Sequence, residues 1–279
     1  MFRYLKYITT QINHIVADLW IPIQVKFFSN PKLSSSREQV LGILKLMRPT
    51  PSPTPLIRLG PAGDGGYLVP DDLEDIKACF SPGVSDEAGF ELAFANRGVP
   101  CFLADASVPE EPVKHENIFF DPLFLGPISD SKKFISLKDW VDQKSVESGD
   151  LILQMDIEGA EYEVLSSAPA ALLKRFRLIA IELHNFEFIL TNKLSAQSFE
   201  AFLNLLLEYF EVVHIHPNNN RRPVFHKGIE IPPVIEMTLL RKDRFLGKQS
   251  LGPVSLPHPL DSDNSPRRKH LTFSSDWIG

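Results

Sequence analysis

The sequence predicts an open, doubly wound α/β domain built on a mainly parallel sheet. Seven short runs of apolar and β-branched residues alternate with segments of helical periodicity along the chain. Each run is almost continuously hydrophobic, as expected of strands that are buried on both faces of a sheet. Because ligands of such sheets bind beyond the carboxyl ends of the strands, we expect the functional side chains directly after these runs.

The predicted elements can be placed in chain order. The strands are 76–83, 100–107, 117–122, 151–159, 178–184, 211–218 and 234–241. The helices between them come from the segments DEAGFELAFANRG, SLKDWVDQ, AEYEVLSSAPAALLKRF and SAQSFEAFLNLLLEYF. Such alternation is typical of βαβ units, whose strands run parallel.

Two terminal segments flank the predicted domain, which spans residues 56–245. Residues 1–48 predict a helical appendage, with apolar residues at helical spacing near its end. Four prolines within 49–55 mark the boundary, because proline stiffens the chain and removes hydrogen-bond donors. Residues 246–279 are rich in proline, serine and charge, and they predict an irregular, partly disordered tail.

The composition limits the possible partners and compartment. A formal net charge of −6 argues against a nucleic-acid-binding protein, which normally carries a basic surplus. The two cysteines, Cys79 and Cys101, lie in strand-like runs and are expected to be buried thiols of a reducing, cytoplasmic protein. No run of 18 apolar residues is present, so we expect no membrane span and no signal peptide.

The first predicted strand leads into the segment FSPGVSDEAGFELAF. Gly83 allows a tight turn, Ser85 or Asp86 could cap the next helix, and free N–H groups at its start suit a nucleotide-like ligand. Asp105 ends the second strand about 20 residues later, the spacing at which an acid binds ribose hydroxyls. The dinucleotide fingerprint G-x-G-x-x-G is absent, which argues against a nicotinamide-dependent oxidoreductase.

An acidic segment follows the fourth predicted strand, LILQM. Asp156, Glu158 and Glu161 crowd around Gly159, and carboxylates so close raise one another's pKa unless a cation or a donor intervenes. Glu158 and Glu161 also fit a surface role in the first turn of a helix. Asp156 directly follows the apolar run and is expected to be half-buried.

The fifth and sixth strands also end in polar side chains. Glu182 and His184 share one face, and so do His214 and His216. Residues 64–66 form a separate glycine-rich turn before the first strand, read either as a plain hairpin turn or as a flap whose backbone approaches a ligand.

The segments DLILQMDIEGAEYEVL and FRLIAIELH resemble the FkbM-type methyltransferases, which depend on S-adenosylmethionine. GDGGYLVP, FSPGVSDEAGFELAFANRG and VVHIHPNNN resemble an uncharacterised branch of that family. The resemblance spans roughly residues 56–245, and it implies a class I methyltransferase (Rossmann-like) fold of seven strands with the last one antiparallel.

The resemblance also implies roles for individual residues. Gly83, Val84 and Ser85 would line the methionine and ribose part of the cofactor, Asp105 would hold the ribose, and Asp156 would face the sulfonium. The acceptor would be a small molecule or glycan, methylated at a hydroxyl of a sugar or natural product. The chain departs from the usual class I loop, because no acid precedes Gly83.

Two mechanisms remain open at this point. His184 or His216 could remove the hydroxyl proton near neutral pH, with Asp156 beside the cofactor's methyl group. Alternatively, Asp156, Glu182 and His184 could hold a divalent cation that lowers the pKa of the hydroxyl. A different class of function, a non-catalytic α/β module that binds a glycan or a protein, would leave these acids as surface groups.

Overall fold

The computed structural model describes residues 33–84, 86–130, 132–146, 148–249 and 251–278. Its strands are β1 (Leu56–Leu59), β2 (Tyr67–Pro70), β3 (Ala78–Pro82), β4 (Cys101–Ala104), β5 (Ile118–Asp121), β6 (Phe124–Gly126), β7 (Phe134–Ser136), β8 (Leu151–Met155), β9 (Phe176–Leu183), β10 (Phe210–Pro217), β11 (Val224–His226), β12 (Ile229–Ile231) and β13 (Ile235–Arg241). Its helices are α1 (Arg37–Leu46), α2 (Gly89–Ala95), α3 (Leu137–Gln143), α4 (Glu161–Ser167), α5 (Ala170–Leu173), α6 (Phe186–Thr191), α7 (Lys193–Leu207) and α8 (Ser275–Ile278), with a 3-10 turn at Lys242–Phe245.

All seven predicted strands are present, and they form one seven-stranded sheet. Its order is β10-β13-β9-β8-β3-β4-β5. The pairs β3–β4, β4–β5, β3–β8 and β8–β9 are parallel, whereas β13 runs antiparallel to both β9 and β10. The predicted class I methyltransferase fold, with its antiparallel last strand, is therefore confirmed. Helices and hairpins cover both faces, so the strands are almost wholly buried.

The described end of the predicted N-terminal appendage packs into the main core. Ser36 caps helix α1 by accepting a hydrogen bond from Gln39 N. Val40, Ile43 and Leu44 are fully buried in the same apolar cluster as the sheet. The domain boundary at 49–55 stays a prediction, but α1 contributes to the core rather than standing apart from it.

The tail is irregular as far as α8, yet it is docked on the domain. Trp277 of α8 is 1% exposed, packs in the main core, and donates from Nε1 to Glu230 O at 3.0 Å. Within the described residues, no helix is both long enough and apolar enough to cross a membrane. Cys79 and Cys101 are free and buried, as predicted.

A network of ion pairs ties the strands together at the edge of the sheet opposite their carboxyl ends. Arg177 of β9 contacts Asp150 at 2.7 Å and Asp72 at 3.6 Å. Arg241 of β13 reaches Asp150 at 2.7 Å, and Arg244 reaches Asp72 at 2.6 Å. Arg241 also contacts Asp243 at 2.7 Å, so three arginines pair with three aspartates in this network.

Candidate active site

One row of ionisable side chains crosses four strands at the carboxyl edge of β8 and β9. His216 of β10 pairs with Glu236 of β13, and Glu236 pairs with Glu182 of β9. Met155 pairs with Ile181, which places the next residue, Asp156, beside Glu182. The strand order predicted that these residues would share an edge, and the register now places them side by side.

Asp156 and Glu182 lie side by side, with Glu182 buried and the Asp156 side chain 30% exposed. Burial, followed by the charge of Glu182, raises the pKa of Asp156 well above its usual value. Burial also raises the pKa of Glu182, and Asn218 donates a hydrogen bond to it. Asp156 Oδ1 is shielded from solvent without any hydrogen-bond partner.

His184 lies among three carboxylates. Its Nδ1 is 3.0 Å from Glu161 Oε1, while its Nε2 is 3.7 Å from Asp156 Oδ1 and 3.6 Å from Glu158 Oε2. Burial lowers the pKa of His184, but the three carboxylates outweigh it and raise the pKa to about 9. The free imidazole is therefore protonated at neutral pH and cannot accept a proton there. This argues against His184 as the general base.

Glu161 does not have the surface role that the sequence left open for it. It is fully buried, and its Oε1 accepts hydrogen bonds from Ile157 N at 3.0 Å and Gly159 N at 3.1 Å. Its Oε2 has no partner. An acid in the first turn of a helix usually faces water, and nothing in the spacing distinguishes this one.

An open cleft begins where β3 ends. Gly83 and Val84 line one side, Asp64 and Gly65 line the other, and Asp156 also borders it. The predicted cofactor residues Gly83, Val84 and Asp156 thus meet in one cavity, whereas Ser85 lies outside the described residues. The predicted cap at Asp86 is wrong, because α2 begins after Ala88 and has no side-chain cap.

Gly83 fits this turn for two reasons. Its φ is +87°, in the region that favours glycine. A Cβ built on it would overlap the carbonyl oxygen of Asp156. The turn therefore brings the end of β3 into direct contact with the acidic segment that follows β8.

The glycine-rich segment predicted as a hairpin turn joins β1 to β2 and is held from two directions. Arg58 donates to the carbonyls of Pro61 and Gly63, each at 2.7 Å. From the tail, Asn264 Nδ2 lies 2.6 Å from Glu236 Oε1 and 3.2 Å from Asp64 Oδ1. One side of the cleft is therefore fixed by a residue some 200 positions away in the sequence.

Asp105 lies beside the Gly83 turn, because Gly83 N donates to the carbonyl of the preceding residue, Ala104, at 2.9 Å. Its side chain is largely buried, and its Oδ1 accepts a hydrogen bond from Ser107 N at 2.7 Å. The carboxyl group is thus held at the end of β4 by its own loop. Its ribose-binding role stays a prediction.

A comparison with known protein families matches the segment that carries the acidic residues of the site. Residues 135–222 match the family model of the methyltransferase FkbM domain. The predicted resemblance to FkbM-type methyltransferases is confirmed over that segment, and together with the fold it supports a methyltransferase. The match contains Asp156, Glu161, Glu182, His184 and His216.

Two further comparisons add little. No curated protein sequence matches the chain significantly. Among solved structures, SMU.1697c of Streptococcus mutans, described as a methyltransferase and crystallised with SAH, is 12% identical, with a TM-score of 0.28. That similarity covers 60% of this chain and 88% of the other, and it is too low to support a structural argument.

His216 lies in the FkbM segment but not beside Asp156. Three strand spacings of about 4.8 Å separate them, so the two lie about 14 Å apart. His216 instead lies 3.6 Å from Asp261 of the tail, which also contacts His214 at 2.9 Å. The structure therefore does not bring His216 to the cluster of Asp156, Glu182 and His184.

Two residues flank the cluster with backbone dihedrals in the left-handed region, and both belong to the segment that matches the FkbM domain. Glu158 has a φ of +58° and Asn185 a φ of +56°, and neither is a glycine. Such conformations cost of order 1–3 kcal/mol and concentrate at functional sites. Tyr162 helps to fix the second turn by donating from its hydroxyl to His184 O at 2.7 Å.

Proposed function

We propose that the protein is an S-adenosylmethionine-dependent methyltransferase that acts on a hydroxyl oxygen of a small molecule, such as a sugar or natural product. One observation carries the proposal. The cleft after the first strand of a class I sheet is bordered by Asp156, in the segment that matches the FkbM domain. Ligands of such sheets bind at this position.

The chemistry of the cleft suits this cofactor. Asp64, Glu87, Glu91 and Asp156 all line it. S-adenosylmethionine carries a sulfonium and an ammonium group, which these carboxyl groups would compensate. Gly83 and Val84 would contact the methionine and ribose, and Asp105 would accept hydrogen bonds from the ribose hydroxyls.

When bound, the cofactor supplies a methyl group on a good leaving group, so the protein must align the acceptor and remove its proton. We assign proton removal to the carboxyl pair of Asp156 and Glu182, because Asp156 lines the cleft and Glu182 lies beside it on the next strand. His184 orients this pair as a fixed positive charge in the absence of a metal ion.

Calorimetry with the full chain tests the proposal, using S-adenosylmethionine, its demethylated product and NAD as ligands. Asp105→Ala should cost roughly 2–4 kcal/mol of binding free energy, since two charge-assisted hydrogen bonds of about 1.5–3 kcal/mol each are lost and water compensates for part of that loss. Glu110→Ala, an exposed acid of the same loop, should leave the affinity unchanged.

The other outcomes separate the alternatives. Binding of NAD alone would favour an oxidoreductase. Binding of none of the three ligands at millimolar concentration would overturn the enzymatic proposal and leave a binding module. Once binding is established, formation of the demethylated product in the presence of hydroxylated sugars and phenols would identify the acceptor class.

A further inference from the structure

The two ring nitrogens of His184 have different surroundings. Nδ1 makes a hydrogen bond of 3.0 Å with the carboxylate of Glu161. Nε2 faces Asp156 Oδ1 at 3.7 Å and Glu158 Oε2 at 3.6 Å, beyond hydrogen-bond distance. Two ligands bonded at about 2.1–2.2 Å to one ion, at 90–120° to each other, lie about 3.0–3.8 Å apart. Both separations at Nε2 fall within that range.

We propose that Asp156 and His184 Nε2 bind a divalent cation, with Glu158 as a third ligand and Glu161 as a positioning residue. A metal-bound histidine usually donates its other ring N–H to a carboxylate, which fixes the tautomer and the ring orientation. Glu161 stands in that place, because its own carboxylate is held by the N–H groups of Ile157 and Gly159.

Unsatisfied oxygens point to the same conclusion independently. Asp156 Oδ1 is shielded from solvent and has no hydrogen-bond partner, although it faces His184. Glu161 is fully buried, and its Oε2 also lacks a partner. One candidate ligand atom from each of Asp156, Glu161 and His184 lies within 4.8 Å of the others. Buried polar atoms without partners often mark an ion or water.

The balance of charge supports a cation as well. Three carboxyl groups, those of Asp156, Glu158 and Glu161, surround one imidazole. A divalent ion would compensate this excess of acid, with Nε2 as a neutral ligand and Nδ1 hydrogen-bonded to Glu161. Glu158 can adjust as a ligand, since its side chain is 88% exposed. Carboxylate ligands with a single imidazole suit Mn²⁺ or Mg²⁺.

The role in the reaction rests on the proposed methyltransferase function. Three protein ligands would leave positions for water and for the acceptor hydroxyl, whose pKa the ion lowers. The hydroxyl O–H bond breaks and its proton passes to Glu182. The oxygen then forms a bond to the methyl carbon as the carbon–sulfur bond breaks.

The test measures Mn²⁺ binding to the full chain after a chelator has removed any bound metal. Calorimetry gives the affinity, and electron paramagnetic resonance gives the concentration of free Mn²⁺. The unmodified protein should bind saturably. Asp156→Asn and His184→Gln should weaken binding by more than about 100-fold, and Glu161→Gln by about 10–100-fold. Glu163→Gln, an exposed acid in the same helical turn, should change nothing.

Melting temperatures show whether a variant that has lost Mn²⁺ binding is still folded. Asp156→Asn keeps the shape of the side chain, so the folded variant should lose the upward shift that Mn²⁺ produces in the unmodified protein. No saturable binding at millimolar Mn²⁺, or equal binding by Asp156→Asn, would overturn the proposal.

Cofactor binding measured in chelator separates this proposal from the function on which it rests. If S-adenosylmethionine binds and Mn²⁺ does not, only the metal site fails. If Mn²⁺ binds at these residues and S-adenosylmethionine does not, the methyltransferase function fails instead.

Discussion

Gly83 lies so close to the backbone of Asp156 that a Cβ at position 83 would overlap the Asp156 carbonyl oxygen. Gly83→Ala should therefore lower the free energy of unfolding by at least about 3 kcal/mol, because two strand exits must separate. Urea unfolding measures this loss. Gly98→Ala is the matched control, since Gly98 also has a positive φ, +78°, but open space around its Cβ position. Its loss should be only about 1–2 kcal/mol. Equal losses in the two variants would contradict the steric explanation.

Asp261 should make the stability of the protein depend on acidic pH. Burial raises its pKa, but the hydrogen bond with His214 at 2.9 Å and the imidazole of His216 at 3.6 Å outweigh burial and hold the pKa well below its usual value. A group with a lowered folded-state pKa stabilises the protein above its unfolded value of about 3.9, and this contribution is lost as pH falls further. Unfolding measured from about pH 5 to pH 3 should show the loss.

Asp261→Asn should remove most of that pH dependence and cost about 2–3 kcal/mol at pH 7. Asp263→Asn, whose carboxylate pairs with the exposed His270 in the same tail, is the control and should change stability little. An unchanged acid dependence in Asp261→Asn would show that other carboxylates dominate.

The tail should be part of the cooperative fold. Trp277 is 1% exposed, so Trp277→Ala should cost about 3–5 kcal/mol by leaving a cavity in the core. Ile278 of the same helix is 46% exposed, and Ile278→Ala should be nearly neutral. Thermal and urea unfolding compare the two variants. A near-neutral Trp277→Ala would mean that the tail is dispensable.

Helix α1 should be needed for stability, although the sequence predicts only an appendage over residues 1–48. Leu44 is fully buried, and Leu44→Ala should cost about 2–5 kcal/mol. Deleting residues 1–48 should leave an unstable or insoluble domain for the same reason. Lys45→Ala, an exposed neighbour, should be close to neutral. A folded deletion variant with unchanged cofactor affinity would restore the appendage interpretation.

The fold could be predicted from the sequence because its strands are buried on both faces and read as continuous apolar runs. The same patterns placed Asp156, Glu182 and His184 at adjacent strand exits, since the carboxyl ends of parallel strands share one edge. Periodicity could not show how deeply Glu161 is buried, because its environment depends on how α4 packs.

Contacts between residues far apart in the chain could not be predicted from the sequence either. Asp261 and Asn264 belong to a segment with the composition of a disordered tail, yet they contact β10, β13 and the glycine-rich loop. His216 lies in the same row as Asp156, but three strand spacings separate them. That distance depends on the order of the strands in the sheet. Neither feature follows from local preference.

The ion pairs around Arg177 have a consequence for how ligands approach the protein. They neutralise the amino-terminal edge of the sheet, whereas the carboxyl edge holds Asp64, Glu87, Glu91, Asp156, Glu158, Glu161, Glu182 and Glu236. Arg58 and His184 offset part of this acidity, and the remaining excess gives the carboxyl edge the more negative field of the two ends. Such a field steers diffusing cations towards one end of a molecule and turns anions away, increasingly so at low ionic strength. Acceptors bearing phosphate or carboxylate groups should accordingly associate more slowly than neutral ones, a difference that added salt would reduce.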